Sequence, residues 1–141
     1  MAVKFGIAFG AHVTVVSRGK GKMDSSINEL KANAYLDSTD EAAMAAAVGG
    51  FDFILDTIAA EHDVGAQMNM LATNGKCVMV GVPEKPFMLH SSSVVMGRKT
   101  ISGSLIGGIE ETQEMLEFCG RHNIVSEIEI IKGSEINVAY E

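Results

Sequence analysis

Cysteine is scarce in this sequence. Cys77 and Cys119 stand far apart, with no Cys-x-x-Cys anywhere, so neither a dithiol redox motif nor a cysteine-paired zinc site has its usual spacing. Cys77 lies in an apolar run and Cys119 in a helical pattern, and both are expected as buried, reduced thiols. The four histidines, His12, His62, His90 and His122, show neither H-x-x-x-H nor H-E-x-x-H spacing. They are expected at the surface or at helix ends rather than as metal ligands. Positive charge is also in short supply. Eleven Lys and Arg against 18 Asp and Glu leave a net charge of −7 and an isoelectric point near 5.0, which argues against nucleic acid or an anionic membrane as a default partner. No apolar run reaches the length of a membrane span, and Met1 to Gly6 lacks the pattern of a signal peptide. A soluble, cytoplasmic protein is the expectation.

What is present is ample apolar material. With 141 residues, 47% of them hydrophobic, and a mean hydropathy of +0.20, the chain can bury a core as one domain. The most informative stretch is His-Val-Thr-Val-Val-Ser-Arg-Gly-Lys-Gly-Lys, residues 12–22. A β-branched run ends there in Ser17, Arg18, Lys20 and Lys22, as a buried parallel strand would that delivers a hydroxyl and cations to the carboxyl edge of a sheet. Ligands of open α/β sheets bind at that edge. A carboxylate at such a tip suits free ribose hydroxyls, whereas Arg matches phosphate oxygens, so this tip suggests NADP(H). A solvated basic turn after an ordinary strand is the alternative.

Apolar runs alternate with helical patterns along the chain, the mark of βαβ units and a mostly parallel sheet. Ala2 to Phe9 reads as a helix end closed by Gly10, and His12 to Val16 as a strand. Met23 to Ala32 follows as an amphipathic helix. Ala34 to Leu36 is a brief strand, and an Ala-rich helix opens at Thr39-Asp40-Glu41 and ends near Val48. Phe51 to Thr57 has the composition of a central strand with Asp56 and Thr57 at its tip. Val64 to Leu71 is helical, and Asn74-Gly75 turns into a strand from Lys76 to Gly81. Ser91 to Met96 suits a short helix, Thr100 to Ser104 a strand, and Ile109 to His122 the clearest helix. Ile124 to Ile131 is a final extended segment, in which Glu127 and Glu129 alternate with Ile128 and Ile130 as on a half-exposed edge strand. Ser134 to Glu141 begins another helix.

Five motifs in register carry a resemblance: Val13-Thr-Val-Val-Ser-Arg18, Phe51-Asp-Phe-Ile-Leu-Asp-Thr57, Val80-Gly-Val-Pro-Glu84, Met96 to Ser104, and Glu110 to Phe118. Together they resemble the nucleotide-binding domain of zinc-dependent medium-chain alcohol dehydrogenases, and within these the NADP-dependent cinnamyl alcohol dehydrogenase group. The resemblance covers essentially all 141 residues and implies an α/β, Rossmann-like, mostly parallel sheet flanked by helices. It also implies roles. Ser17, Arg18 and Lys22 match the positions that hold the 2′-phosphate; Thr57 matches the adenosine-side wall. Val80, Gly81 and Pro83 match the lining of the nicotinamide ribose, and Ser104, Leu105 and Ile106 the stretch that meets the carboxamide. Thr57 and Ser104 equally suit the simpler task of satisfying backbone groups at strand ends. Gly19 and Gly21 depart from the family pattern and are expected to loosen the phosphate loop.

The same resemblance implies an N-terminally truncated domain, residues 1–141, lacking the usual first strand, its Gly-rich turn and the zinc-bearing catalytic domain. Zinc is then expected only in a full-length homologue, and no catalytic or metal-ligating residue is assigned. In the strand order 3-2-1-4-5-6 the missing strand sits between His12–Val16 and Phe51–Asp56. Unpaired backbone groups there cost roughly 1–3 kcal/mol each when buried, so the flanking strands are expected to pair directly, or to take a strand from a homo-oligomer or partner protein, unless the chain is a piece of a longer product. Three functions follow: an alcohol dehydrogenase-like oxidoreductase in full-length context, a nucleotide-binding module without chemistry, and a structural or interaction protein using exposed sheet edges.

Overall fold

The computed structural model describes residues 1–140. Five strands, β1 (Thr14–Ser17), β2 (Ala34–Asp37), β3 (Phe51–Asp56), β4 (Leu71–Met79) and β5 (Thr100–Gly103), alternate with helices. These are α1 (Ala2–Ala8), α2 (Glu41–Ala46), α3 (Val64–Met70), α4 (Ser92–Val95), α5 (Ile109–His122) and α6 (Ile136–Ala139). Every strand pairing is parallel, as βαβ crossovers require. The class is α/β and Rossmann-like.

The sheet is in two parts, β1-β2 and β3-β4-β5. The expectation that the strands flanking the missing position pair directly is therefore not met. β1 bonds only β2, and β3 only β4. The apolar side chains near those free edges stay open: Phe53 is 56% exposed, Leu55 41% and Val16 40%. α1 touches residues of both parts, Val13 before β1 and Phe118 of α5. Val13 lies close against Gly6, and the rings of Phe5 and Phe9 lie tilted against Phe118 of α5 at centroid separations of 5.9 and 4.8 Å.

The core belongs to the three-stranded part. Val64, Met68, Leu71 and Cys77 form its buried centre, with Ile54, Met79, Val94 and Ile101 packed around it. Asp63 caps α3 by accepting from the Ala66 N–H at 3.0 Å, and Asp40 caps α2 through Ala43 in the same way, both as N-cap aspartates do. No loop separates α3 from β4. Leu71 already pairs with Phe51, and the ladder resumes at Phe53 and Lys76. The Asn74-Gly75 turn is thus an excursion within β4; Asn74 has φ +64°, and its N–H donates to the Gly97 carbonyl at 2.7 Å.

Two expectations are corrected. The helix expected over Met23–Ala32 is shorter and of a different winding: Met23 and Asp24 are α-helical, Ser25–Glu29 continue as a π-helical turn, and it ends before Leu30. The Ser25 and Ser26 hydroxyls donate back to the Lys22 carbonyl at 3.2 and 2.6 Å, alongside its regular bond from the Ser26 N–H at 3.0 Å, and Lys31 at φ +62° ends the turn. The final segment, 124–131, forms no strand, and Glu127 to Ile131 are exposed. It does not join β5; instead Lys4 of α1 holds it, through the Val125 carbonyl and an ion pair with Glu127, which lowers the Glu127 pKa. Beyond it, a 3-10 turn at Gly133–Glu135 leads into α6.

Candidate nucleotide-binding edge

The residues singled out in the sequence fall at the carboxyl ends of the parallel strands, in two groups. The first is the tip of β1. Ser17 is its last residue, half-buried, opposite Asp37 of β2, and its carbonyl accepts from the Ser38 N–H at 3.0 Å. Arg18 and Lys22 are exposed. Among the described residues no carboxylate lies within ion-pair distance of Arg18, Lys20 or Lys22, though the charge of Lys20 acts on Asp37.

That loop is held more firmly than its glycines suggest. Gly19 takes φ +65°, a conformation suited to glycine, and both its polar backbone groups are bonded to side chains of β2. Its N–H donates to Asp37 Oδ1 at 2.8 Å and its carbonyl accepts from the Tyr35 hydroxyl at 2.7 Å. The expectation of a loosened loop is corrected at this residue. Asp37 Oδ1 also accepts from the Thr39 N–H and hydroxyl at 2.9 and 2.7 Å. The Thr39 bonds first, then Gly19 and the charge of Lys20, hold its carboxyl below the usual carboxylate range.

The second group lies on the neighbouring tips of β3, β4 and β5. Thr57 follows β3 directly and is exposed. The N–H groups of Val80 and Gly81 donate to the Asp56 carbonyl at 2.8 and 3.2 Å, and the Ser104 N–H donates to the Met79 carbonyl at 3.0 Å. Thr57, Val80, Gly81 and Ser104 are thereby gathered on one sheet edge. Gly81 is required there by the chain itself, because a Cβ would collide with the backbone of Ile58. Pro83 lines an open depression of about 430 Å³ with Gly81, Val82 and Phe87. Leu105 and Ile106 project into the open, 86% and 91% exposed.

An acid–histidine pair beneath this edge has no announcing motif in the sequence. Asp56, 2% exposed, accepts from the Ile58 N–H at 2.9 Å through Oδ1, and Oδ2 lies 2.8 Å from His62 Nε2. His62 Nδ1 lies 2.9 Å from the Ala60 carbonyl. A carboxylate and a carbonyl are both acceptors, so the ring donates to both only in the form that carries a proton on each nitrogen. Burial works to lower the His62 pKa, but the Ala60 carbonyl and the Asp56 carboxylate outweigh it and raise it above the usual histidine value. His62 stands at a helix end, immediately before the Asp63 cap of α3, but its side chain, 13% exposed, is turned in on Asp56 and is not a surface histidine. Asp56 at the strand tip was visible in the sequence; its partner was not, since nothing in an Asp-to-His spacing across a loop declares a contact. Burial, aided by the Asp56 charge, raises the Cys77 pKa, and both cysteines are buried and free.

This placement of loops at the carboxyl ends of parallel strands defines a class, the open α/β fold of Rossmann type, whose ligands bind at that edge. The sequence profile of the zinc-binding dehydrogenases matches residues 1–121, and the chain belongs to that family. It is 52% identical over 141 residues to cinnamyl alcohol dehydrogenase 2 of Arabidopsis thaliana, covering 100% of this chain and 38% of that protein. Among solved structures it is similar to a cinnamyl alcohol dehydrogenase of Sorghum bicolor, with a TM-score of 0.95 and 38% identity over 99% of this chain and 39% of the other. It is also similar to the CAD of Helicobacter pylori in complex with NADP(H), with a TM-score of 0.83 and 34% identity over 99% of this chain and 40% of that one. The chain spans about 39% of the length of such relatives.

Proposed function

We propose that these residues form the NADP(H)-binding domain of an alcohol dehydrogenase-like oxidoreductase that interconverts an alcohol and an aldehyde when the rest of the enzyme is in place. The observation that carries the reading is the run of Arg18, Lys20 and Lys22 around Gly19, none of them in an ion pair among the described residues, at a β1 tip that bears Ser17 in place of an acid. Such a tip suits an adenosine 2′-phosphate, and the nearby carboxylate, Asp37, is already engaged by three donors on one oxygen. The structural relative in complex with NADP(H) supports the same choice.

The residues present fit the two ends of the cofactor. Ser17, Arg18 and Lys22 would hold the 2′-phosphate and Thr57 would wall the adenosine. Val80, Gly81 and Pro83 would line the nicotinamide ribose, and the backbone of Ser104, Leu105 and Ile106 would meet the carboxamide. The cofactor, when bound, supplies a hydride donor or acceptor at its nicotinamide ring. The exposed apolar tips at Val82, Leu105 and Ile106 would exclude water from that ring once covered. No group of three or more His, Cys, Asp or Glu able to hold a metal occurs among the described residues, so these residues do not fit a zinc site and no zinc step is assigned to them.

Calorimetric titration of the chain with NADPH, NADH and, for the Arg18→Ala variant, NADPH tests this. NADPH is expected to bind more tightly than NADH, and loss of Arg18 to cost roughly tenfold or more, the scale of a charge-assisted hydrogen bond. Equal affinity for the two nucleotides, or no heat from a folded sample, would discard the reading. In a second reading the unpaired edges of β1 and β3, with Phe53 and Leu55 exposed beside one of them, recruit another chain and the nucleotide edge is only inherited.

A further inference from the structure

Two side chains of β2 act on a loop that belongs to β1. The strands pair in parallel with Val15 opposite Tyr35 and Ser17 opposite Asp37. Tyr35 and Asp37 both reach past the end of β1 to the same residue, Gly19. The tyrosine hydroxyl donates to its carbonyl at 2.7 Å, and the aspartate accepts from its N–H at 2.8 Å. One residue of a glycine-containing loop thus has both its backbone groups fixed from the neighbouring strand. Gly19 lies between Arg18 and Lys20, so its conformation, held at φ +65°, sets the direction in which both cations leave the backbone. Asp37 is itself secured by the N–H and hydroxyl of Thr39 at 2.9 and 2.7 Å, which fixes the position of its charged carboxylate as an acceptor.

We infer that Tyr35 and Asp37 are positioning residues that clamp the Gly19 peptide and so hold the Ser17–Lys22 loop ready for an adenosine 2′-phosphate. The inference rests on the nucleotide reading above and extends it to two residues that touch no cofactor. Its physical basis is preorganisation. An untethered glycine samples many conformations, and ordering it on binding would subtract from affinity. The clamp makes that ordering part of folding instead.

The test uses adenosine 2′,5′-bisphosphate, with adenosine 5′-monophosphate as the control that lacks the 2′-phosphate, and the isosteric variant Tyr35→Phe, which removes one hydroxyl and no charge. The variant is expected to bind the bisphosphate about fivefold more weakly, the factor equivalent to one neutral hydrogen bond. Its affinity for the monophosphate should not change. Trypsin should cleave it faster after Arg18 and Lys20, because the loop opens more often. Asp37→Asn, which keeps an acceptor oxygen, should retain the slow cleavage, and Asp37→Ala should lose it. If the wild-type chain binds the bisphosphate and Tyr35→Phe binds it equally well, the clamp is refuted while the phosphate site stands. If the folded wild-type chain binds neither nucleotide, both are refuted.

Discussion

At the scale of the residue, Asp56 and His62 show how one buried carboxylate organises a site edge. Asp56 accepts from Ile58 and pairs with His62, while its carbonyl anchors Val80 and Gly81. The loop between β3 and α3 is thereby drawn over β4, where the Ile58 backbone leaves space only for glycine at position 81. The histidine pKa is raised in the folded chain above the model-compound value of 6.5. The stabilisation from this pair is thus fully present below the unfolded pKa and is lost as pH rises through the folded one. Urea unfolding midpoints are expected to fall between slightly acidic and mildly alkaline pH, and the His62→Ala variant should lose that dependence. At acidic pH the variant should be less stable by roughly 2–3 kcal/mol, since it leaves a buried carboxylate without its cation. A variant with the slope of the wild type would show that the pair is not a charged one.

At the scale of the element, α3 is the helix that holds the three-stranded part together. It is seven residues long, too short to persist alone, and is stabilised by its Asp63 cap and by packing. Met68 is 0% exposed within the cluster of Val64, Leu71 and Cys77, and its carbonyl accepts from Lys99 Nζ at 2.6 Å. Met68→Ala is expected to cost roughly 2–4 kcal/mol, the transfer loss plus the cavity left under β4. A cost below about 1 kcal/mol in urea unfolding would mean that the core lies elsewhere. By contrast α5, the longest helix at 14 residues, buries only Cys119 fully. Its Glu110, Glu111, Glu114 and Glu117 are all exposed.

At the scale of the whole molecule the decisive feature is the division into β1-β2 and β3-β4-β5. The cluster around Met68 serves only the second part, while the phosphate-binding candidates sit on the first. Opening should therefore be uneven. In native-state amide exchange, the N–H groups of Cys77 to Met79, in the central strand of the three, are expected to be the slowest. Those of β1 and β2 should exchange faster, and a ligand holding both edges should narrow the difference. Uniform protection across all five strands would contradict this picture of two parts.

Much of this was legible in the chain. The bounds of α5, the positions of β3 and β5 and the glycine closing α1 follow from local periodicity and capping, whose signals lie within a few residues of one another. Placing Ser17, Thr57, Gly81 and Ser104 at strand tips followed from the same reasoning, because a parallel sheet puts every strand's end on one edge. The family, too, was readable from five motifs in register. Other features depended on tertiary structure. The helix expected after Lys22 is shortened and wound as a π-helical turn over Ser25–Glu29, and the extended run 124–131 found no strand to pair with. The clamp of Tyr35 and Asp37 on Gly19 and the pairing of Asp56 with His62 join residues across a strand register or a folded loop. Such contacts leave no periodic trace, since they depend on where the backbone ends up and not on the order in which the residues occur.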